Sequence, residues 1–219
     1  ATARAGPWTI RQGLGGGKRV SAATAEAAVS PPDLKTAEAV MAALDQTPLF
    51  MIRGAEDALD AMLAAAGYAI IDPVVLYSAP LSRLTTTPVP PVSSFCIWPP
   101  LAIMADLWAA GGIGPARLAV MDRAEGVKTA LLARQSDQPA GVAFVAIHRN
   151  VAMIHAIEVA PDHRRKGVGA NIMRAAAHWT QDKGATHLTL AVTRANAAGN
   201  ALYSSLGMQV VGQYHYRIK

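Results

Sequence analysis

The sequence predicts a mixed α/β fold: a mostly antiparallel sheet covered by helices on both faces, preceded by a smaller α/β half. Three observations carry this expectation. Residues 127–133, 141–147 and 151–160 are apolar, β-rich runs separated only by short polar turns, the pattern of consecutive antiparallel strands. They are apolar throughout rather than alternating, so both faces of their sheet need cover. A long helical stripe follows directly, with Val168, Ile172, Ala175 and Trp179 on one side, widened by Met173 and Ala176 and stopped by Gly184.

From the start of the chain, residues 8–11 and 18–22 read as two strands joined by a turn at Gly13 and Gly15 to Gly17. These glycines do not spell a phosphate loop. Gln12 stands where that pattern wants glycine, Arg19 where it wants Ser or Thr, and Lys18 where the dinucleotide pattern wants its third glycine. A helix is expected over 33–46, where Leu34, Ala37, Val40, Met41 and Leu44 fall on one face and Asp33 is placed to cap. A strand at 49–53, a helix at 55–66 ended by Gly67, and a strand at 68–77 with a bend at Pro73 complete the order ββαβαβ. Pro80, Pro88, Pro90 and Pro91, mixed with Ser and Thr, form the most linker-like stretch, which divides the chain into domains 1–88 and 89–219.

The second half opens with a strand at 95–98. Pro99-Pro100 then start a helix that runs to Ala110 and is ended by Gly111-Gly112. A second helix at 115–123 leads into the three strands and the long helix. A strand at 188–193, a short helix at 197–205 closed by Gly207, and a strand at 208–218 end the chain, giving the order βααβββαβαβ.

Bulk properties narrow the function. With 52% apolar and 16% charged residues the 219-residue chain reads as a compact folded protein. Asp72 and Asp106 interrupt the apolar runs well short of a bilayer span, so no membrane partner is expected. No charged start followed by an apolar core is visible, and cytoplasmic localisation is the expectation. Cys96, the single cysteine, sits between Phe95 and Ile97 and reads as a small buried hydrophobe. His163, His178, His187 and His215 lack ligand-like spacing with carboxylates, so no metal site is expected. The net charge of +5 suits an anionic partner. Cations are scattered except in one loop and no basic-aromatic surface pattern accompanies them, which argues against nucleic acid.

That loop is the most informative stretch. Val159-Ala160-Pro161-Asp162-His163-Arg164-Arg165-Lys166-Gly167-Val168-Gly169-Ala170 runs from an apolar strand through cations and glycines into a helix. A helix N-terminus with unsatisfied N–H groups, glycines that admit close approach, and mobile cations from Arg164, Arg165 and Lys166 make an anion cradle fit for a pyrophosphate. A solvated basic turn would show the same residues, and the short pattern is weak in isolation.

The surrounding residues add to it. Arg164-x-x-Gly167-x-Gly169 follows Val159-x-Pro161, and downstream stand Asn196-x-x-Gly199-x-x-Leu202-Tyr203-x-x-Leu206-Gly207. Over about 95–219, in motif spacing and element order, the chain resembles the GNAT (Gcn5-related N-acetyltransferase) family, departing where Gly199 replaces the commoner alanine. The looser pattern of residues 8–77 resembles the degenerate first half of tandem members. The resemblance implies acetyl-CoA as cosubstrate and a primary amine of a small molecule, amino acid or peptide as acceptor, in a monomer or homodimer. It implies that the pantetheine arm bonds to backbone at Ile157 and Val159, and that amides and side chains of Arg164, Arg165, Lys166, Gly167, Val168, Gly169 and Ala170 hold the pyrophosphate. Asn196 would contact the arm. Tyr203 would protonate the departing thiolate, although an aromatic on a short helix is also ordinary core. For the general base Glu158 is the first choice, because a carboxylate between Ile157 and Val159 is costly to bury without purpose; His155 and His148 remain open. A non-catalytic acyl-CoA sensor would keep the cradle and is the alternative.

Overall fold

The computed structural model describes residues 2–219. They form two compact units, one comprising the chain up to Val75 with Thr193–Ala195 and Gly212–Lys219, the other comprising Leu76–Val192 and Asn196–Val211.

The first unit begins with strands β1 (Thr2–Ala5), β2 (Trp8–Arg11) and β3 (Thr24–Ala25), which make a small antiparallel sheet in that order. Residues 18–22 are not the second strand of a hairpin. Lys18–Ser21 is a one-turn helix, α1, and β2 pairs instead with β1 on one side and β3 on the other. The glycine cluster coils tightly there: a side chain on Gly13 would lie 1.8 Å from the Ser21 hydroxyl, and that hydroxyl donates to the Gly17 carbonyl at 3.0 Å.

Helix α2 (Pro31–Ala43) starts two residues earlier than its apolar spacing suggests, because Ser30 is the N-cap and Asp33 lies inside the first turn. Strand β4 (Leu49–Arg53), helix α3 (Asp57–Ala65) and the start of strand β5 (Ala69–Pro80) follow. At the end of the chain, strand β11 (Gln209–Ile218) pairs antiparallel with β4, Tyr214 opposite Arg53 and Ile218 opposite Leu49. Trp8, Ile10, Leu34, Met41, Phe50, Leu63 and Tyr68 fill the core of this unit. Asp60 of α3 is held by Arg217 at 2.8 and 3.0 Å and by His215 at 2.7 Å, and Arg217 also donates to the Tyr68 carbonyl at 2.7 Å.

In the second unit, the linker-like stretch is partly ordered into a short helix, α4 (Leu81–Leu84). Strand β6 (Ser94–Ile97), helices α5 (Ala102–Ala110) and α6 (Pro115–Asp122), strands β7 (Lys128–Gln135), β8 (Gln138–His148) and β9 (Val151–Val159), helix α7 (Val168–Asp182), strand β10 (His187–Thr193) and helix α8 (Ala197–Ser205) then follow in the expected order. Strands β6 to β9 pair antiparallel in sequence, and β10 joins β9 in parallel. The two-sided apolar pattern is explained by two sets of helices. Met104 and Trp108 of α5 and Met121 of α6 pack with Ala130, Leu132, Val142 and Phe144, while Val168 and Ile172 of α7 approach Gly141 on the other face. Cys96 is exposed on β6 rather than buried: in that short edge strand Phe95 and Cys96 are both exposed, while Ser94 and Ile97 are half-buried. No described helix is long and apolar enough to cross a membrane.

Candidate functional site

The site begins as a gap between two strands. Parallel pairing of β9 with β10 is recorded for Val151 with His187, Ala152 with Leu188 and Met153 with Thr189, whereas β9 continues to Val159 and β10 to Thr193. The register of β9 against β8 slips by one between Val142 and Phe144, and Ala156 opposite the slip has φ of 50°. This β-bulge bends the strand away, and the Trp108 indole N–H donates to the Ala156 carbonyl at 2.8 Å to hold it. Past the bulge, Ala160 donates to Ala140 on β8 at 2.9 Å. By the two-residue period of a strand, Ile157 and Val159 therefore turn their backbone groups toward the gap.

The loop after β9 enters α7 without a side-chain cap. Arg165 (φ 62°) and Gly167 (φ 82°) are left-handed, which curls the loop amides inward, and the first turn of α7 contains no acidic residue. Asn171 makes the first N–H bond of the helix, to Gly167 at 3.0 Å, so the amides of Val168, Gly169 and Ala170 lack intrahelical acceptors. A side chain on Gly169 would come within 3.0 Å of Leu202, so glycine here keeps the helix start close to α8.

A cleft of about 670 Å³ connects these features. Ile157, Glu158, Val159, Arg164, Arg165, Gly167, Val168, Gly169, Ala170, Asn196 and Tyr203 all line it; of the expected set only Lys166, exposed on the loop, does not. Glu158 is 23% exposed, and its carboxylate accepts from the Arg164 guanidinium at 3.2 Å. The same guanidinium donates to the Val159 carbonyl at 3.0 Å. Asn196 caps α8, its side-chain oxygen accepting from the Gly199 amide at 2.8 Å, which leaves its NH₂ group to donate elsewhere. Tyr203 is 6% exposed, its ring lies 5.8 Å from that of Tyr77, and burial pushes its hydroxyl up to about 12, so the phenol keeps its proton at neutral pH. Of the other base candidates, His155 packs against Phe144 and His148 is exposed at the end of β8.

Three contributors were not evident from sequence. Gly111, expected only to end α5, faces Glu158 so closely that a Cβ would stand 2.7 Å from its carboxylate oxygen; the glycine makes room for the acid. His163 lines the cleft and its Nδ1 is buried without a hydrogen-bond partner among the described residues. Tyr77 packs on Tyr203 and donates to Asn200 at 3.2 Å, one residue type whose role no local spacing announces.

Residues 105–208, from α5 to the end of the α8 turn, match the model of the acetyltransferase (GNAT) family. The chain carries a GNAT acetyltransferase domain. Among curated relatives, an uncharacterized N-acetyltransferase of Bacillus subtilis, YobR, is 38% identical over 29% of this chain and 26% of that protein, and the streptothricin acetyltransferase of Streptomyces lavendulae is 41% identical over 33% and 38%. The matched segments thus span well under half the length of these relatives. A solved GCN5-related N-acetyltransferase from Kribbella flavida shares the fold across 100% of this chain and 89% of its own, with a TM-score of 0.70 at 20% identity. The GNAT fold is thus the architecture on which the cleft is built.

Proposed function

We propose that the GNAT domain transfers an acetyl group from acetyl-CoA to a primary amine of a small molecule, amino acid or peptide by direct nucleophilic attack, residues 89–219 being the catalytic part and 1–88 a degenerate companion. One observation carries this reading: a single cleft holds a strand edge, a bare helix N-terminus, a carboxylate and a buried phenol. The groups fit the cosubstrate. A pyrophosphate matches uncapped amides beside Arg164 and Arg165, and an amide-bearing arm matches the outward backbone of Ile157 and Val159 as an added strand.

Acetyl-CoA supplies the activated thioester. Everything else is asked of this chain. Loop amides and cations hold the phosphates, the NH₂ group of Asn196 steadies the arm, and Glu158 removes the proton that an ammonium acceptor must lose before it can attack. A backbone N–H at the strand edge stabilises the oxyanion. Tyr203 then donates to the departing sulfur. Its raised pKa matches this task, because the same burial that holds the phenol neutral also makes a thiolate beside it more basic.

The alternative, a non-catalytic acyl-CoA sensor, would have no use for the Tyr203 hydroxyl, which has no hydrogen-bond partner among the described residues. Thiol release from acetyl-CoA across an amine panel, with streptothricin included because one relative is named for it, run beside CoA calorimetry, decides. Turnover with at least one amine is expected. Binding without turnover favours the sensor, and absence of CoA binding overturns the reading.

A further inference from the structure

The Arg164 side chain occupies two positions at once that the proposed reaction needs free. Its Nε–H donates to the Val159 carbonyl at 3.0 Å, and that carbonyl faces the gap where an added strand would bond. Its Nη2 donates to Glu158 Oε1 at 3.2 Å, on the carboxylate assigned to take the acceptor's proton. On its other side the carboxylate lies against Gly111, where a Cβ would stand 2.7 Å from its second oxygen. We propose that Arg164 is a positioning residue that works as an exchangeable latch: it holds the strand edge and the base together until a pyrophosphate at the start of α7 draws the guanidinium away, which frees both in one movement. This rests on the acetyl-CoA reading of the cleft and adds to it a link between seating the cosubstrate and releasing Glu158.

Magnitudes favour the exchange. Arg164 is 58% exposed, so its bond to a single carboxylate is an ordinary surface ion pair and weak. A pyrophosphate offers more charge, several acceptor oxygens, and a helix N-terminus that already favours anions a few residues away. The guanidinium therefore leaves the weaker partner for the stronger. An arginine serving only as a phosphate ligand would be indifferent to Glu158, and this separates the two ideas.

The test is a double-mutant cycle read by calorimetry with adenosine 3′-phosphate 5′-diphosphate, which carries the phosphates of CoA without its arm and so does not cover Glu158. Glu158→Gln weakens the hold on Arg164 and should tighten binding of this probe by about two- to fivefold, the range an exposed ion pair can return. In an Arg164→Gln background the same Glu158 change should have no effect, since no latch remains. Equal tightening in both backgrounds would show simple relief of charge repulsion and would overturn the latch, as would no tightening in the native background. If the double variant does not fold, Arg164→Lys, which keeps the charge but cannot reach both partners with one planar group, replaces Arg164→Gln and should shrink the Glu158 effect. Failure of the unaltered chain to bind CoA itself would instead remove the acetyl-CoA reading, an outcome separate from either cycle result.

Discussion

Helix α2 in the first unit and helix α7 in the second begin in opposite ways. The start of α2 carries its own anion: Asp33 accepts from the Ser30 amide at 2.9 Å and from the Ser30 hydroxyl at 2.5 Å, two prolines fill the first positions, and the acid's pKa is lowered chiefly by the Ser30 hydroxyl. The start of α7 has a left-handed glycine, no acid and no cap. One helix end is closed by the chain and the other is left for something else to close. The charged groups follow suit, since Asp60, His215 and Arg217 satisfy one another in the first unit, whereas Arg164 and Glu158 in the second are loosely paired and partly exposed. The helix that pays for its own cap supports structure, and the helix without one is available for binding.

Giving α7 an anion of its own is the sharpest way to break this contrast. Gly169→Asp places a carboxylate among the free amides and a Cβ against Leu202, and CoA affinity should fall by about 100-fold or more, the loss of two charge-assisted hydrogen bonds. Wild-type affinity in a folded variant would move the site elsewhere. Next in size, Tyr203→Phe keeps the ring and removes the donor, and should lower turnover about ten- to thousandfold with CoA affinity nearly intact. Unchanged turnover, under conditions where chemistry limits the rate, would take Tyr203 out of the reaction.

In the first unit the expected losses are in stability. Asp60→Asn removes the partner of Arg217, itself 8% exposed, and should cost roughly 2–3 kcal/mol, less than a fully buried pair because Asp60 keeps some solvent. Hydrogen bonding from Arg217, then from His215, lowers the Asp60 pKa to about 2. Its contribution is complete above the unfolded value near 4 and is lost as pH falls through about 2, so denaturant curves of the two proteins should converge between those limits. A gap that persists at pH 2 would show that charge is not the cause. Smallest of all, Ser30→Ala should lower the melting temperature by roughly 2–4 °C, with CoA binding untouched.

Legibility in the sequence followed the range of the interactions. Helix α8 keeps the bounds expected from sequence, 197–205, because the signal that closes it, Gly207 just beyond the end, lies within the helix's own neighbourhood. The loop into α7 was legible for the same reason. Residues 18–22 depart from their local pattern: Val20 beside a glycine cluster looks like a hairpin, whereas the decisive contact, Ser21 packed where a Gly13 side chain would stand, is a matter of shape. Gly111 opposite Glu158, and Arg164 across from both Glu158 and Val159, depend on which segments the fold brings together, and no spacing encodes that.

The early end of pairing between β9 and β10 has a consequence for solvent exchange. Val151 to Met153 sit in a ladder bonded on both sides, whereas Ile157 and Val159, farther along the same strand, have no partner residue on β10. In deuterium these two should exchange at the pace of a loop while Glu158 and Ala160, bonded toward β8, stay slow. Such an alternation of fast and slow amides within one short strand is a fingerprint that could be read without knowing the acceptor, and filling the gap with an arm that bonds like a strand would erase it at alternate residues only.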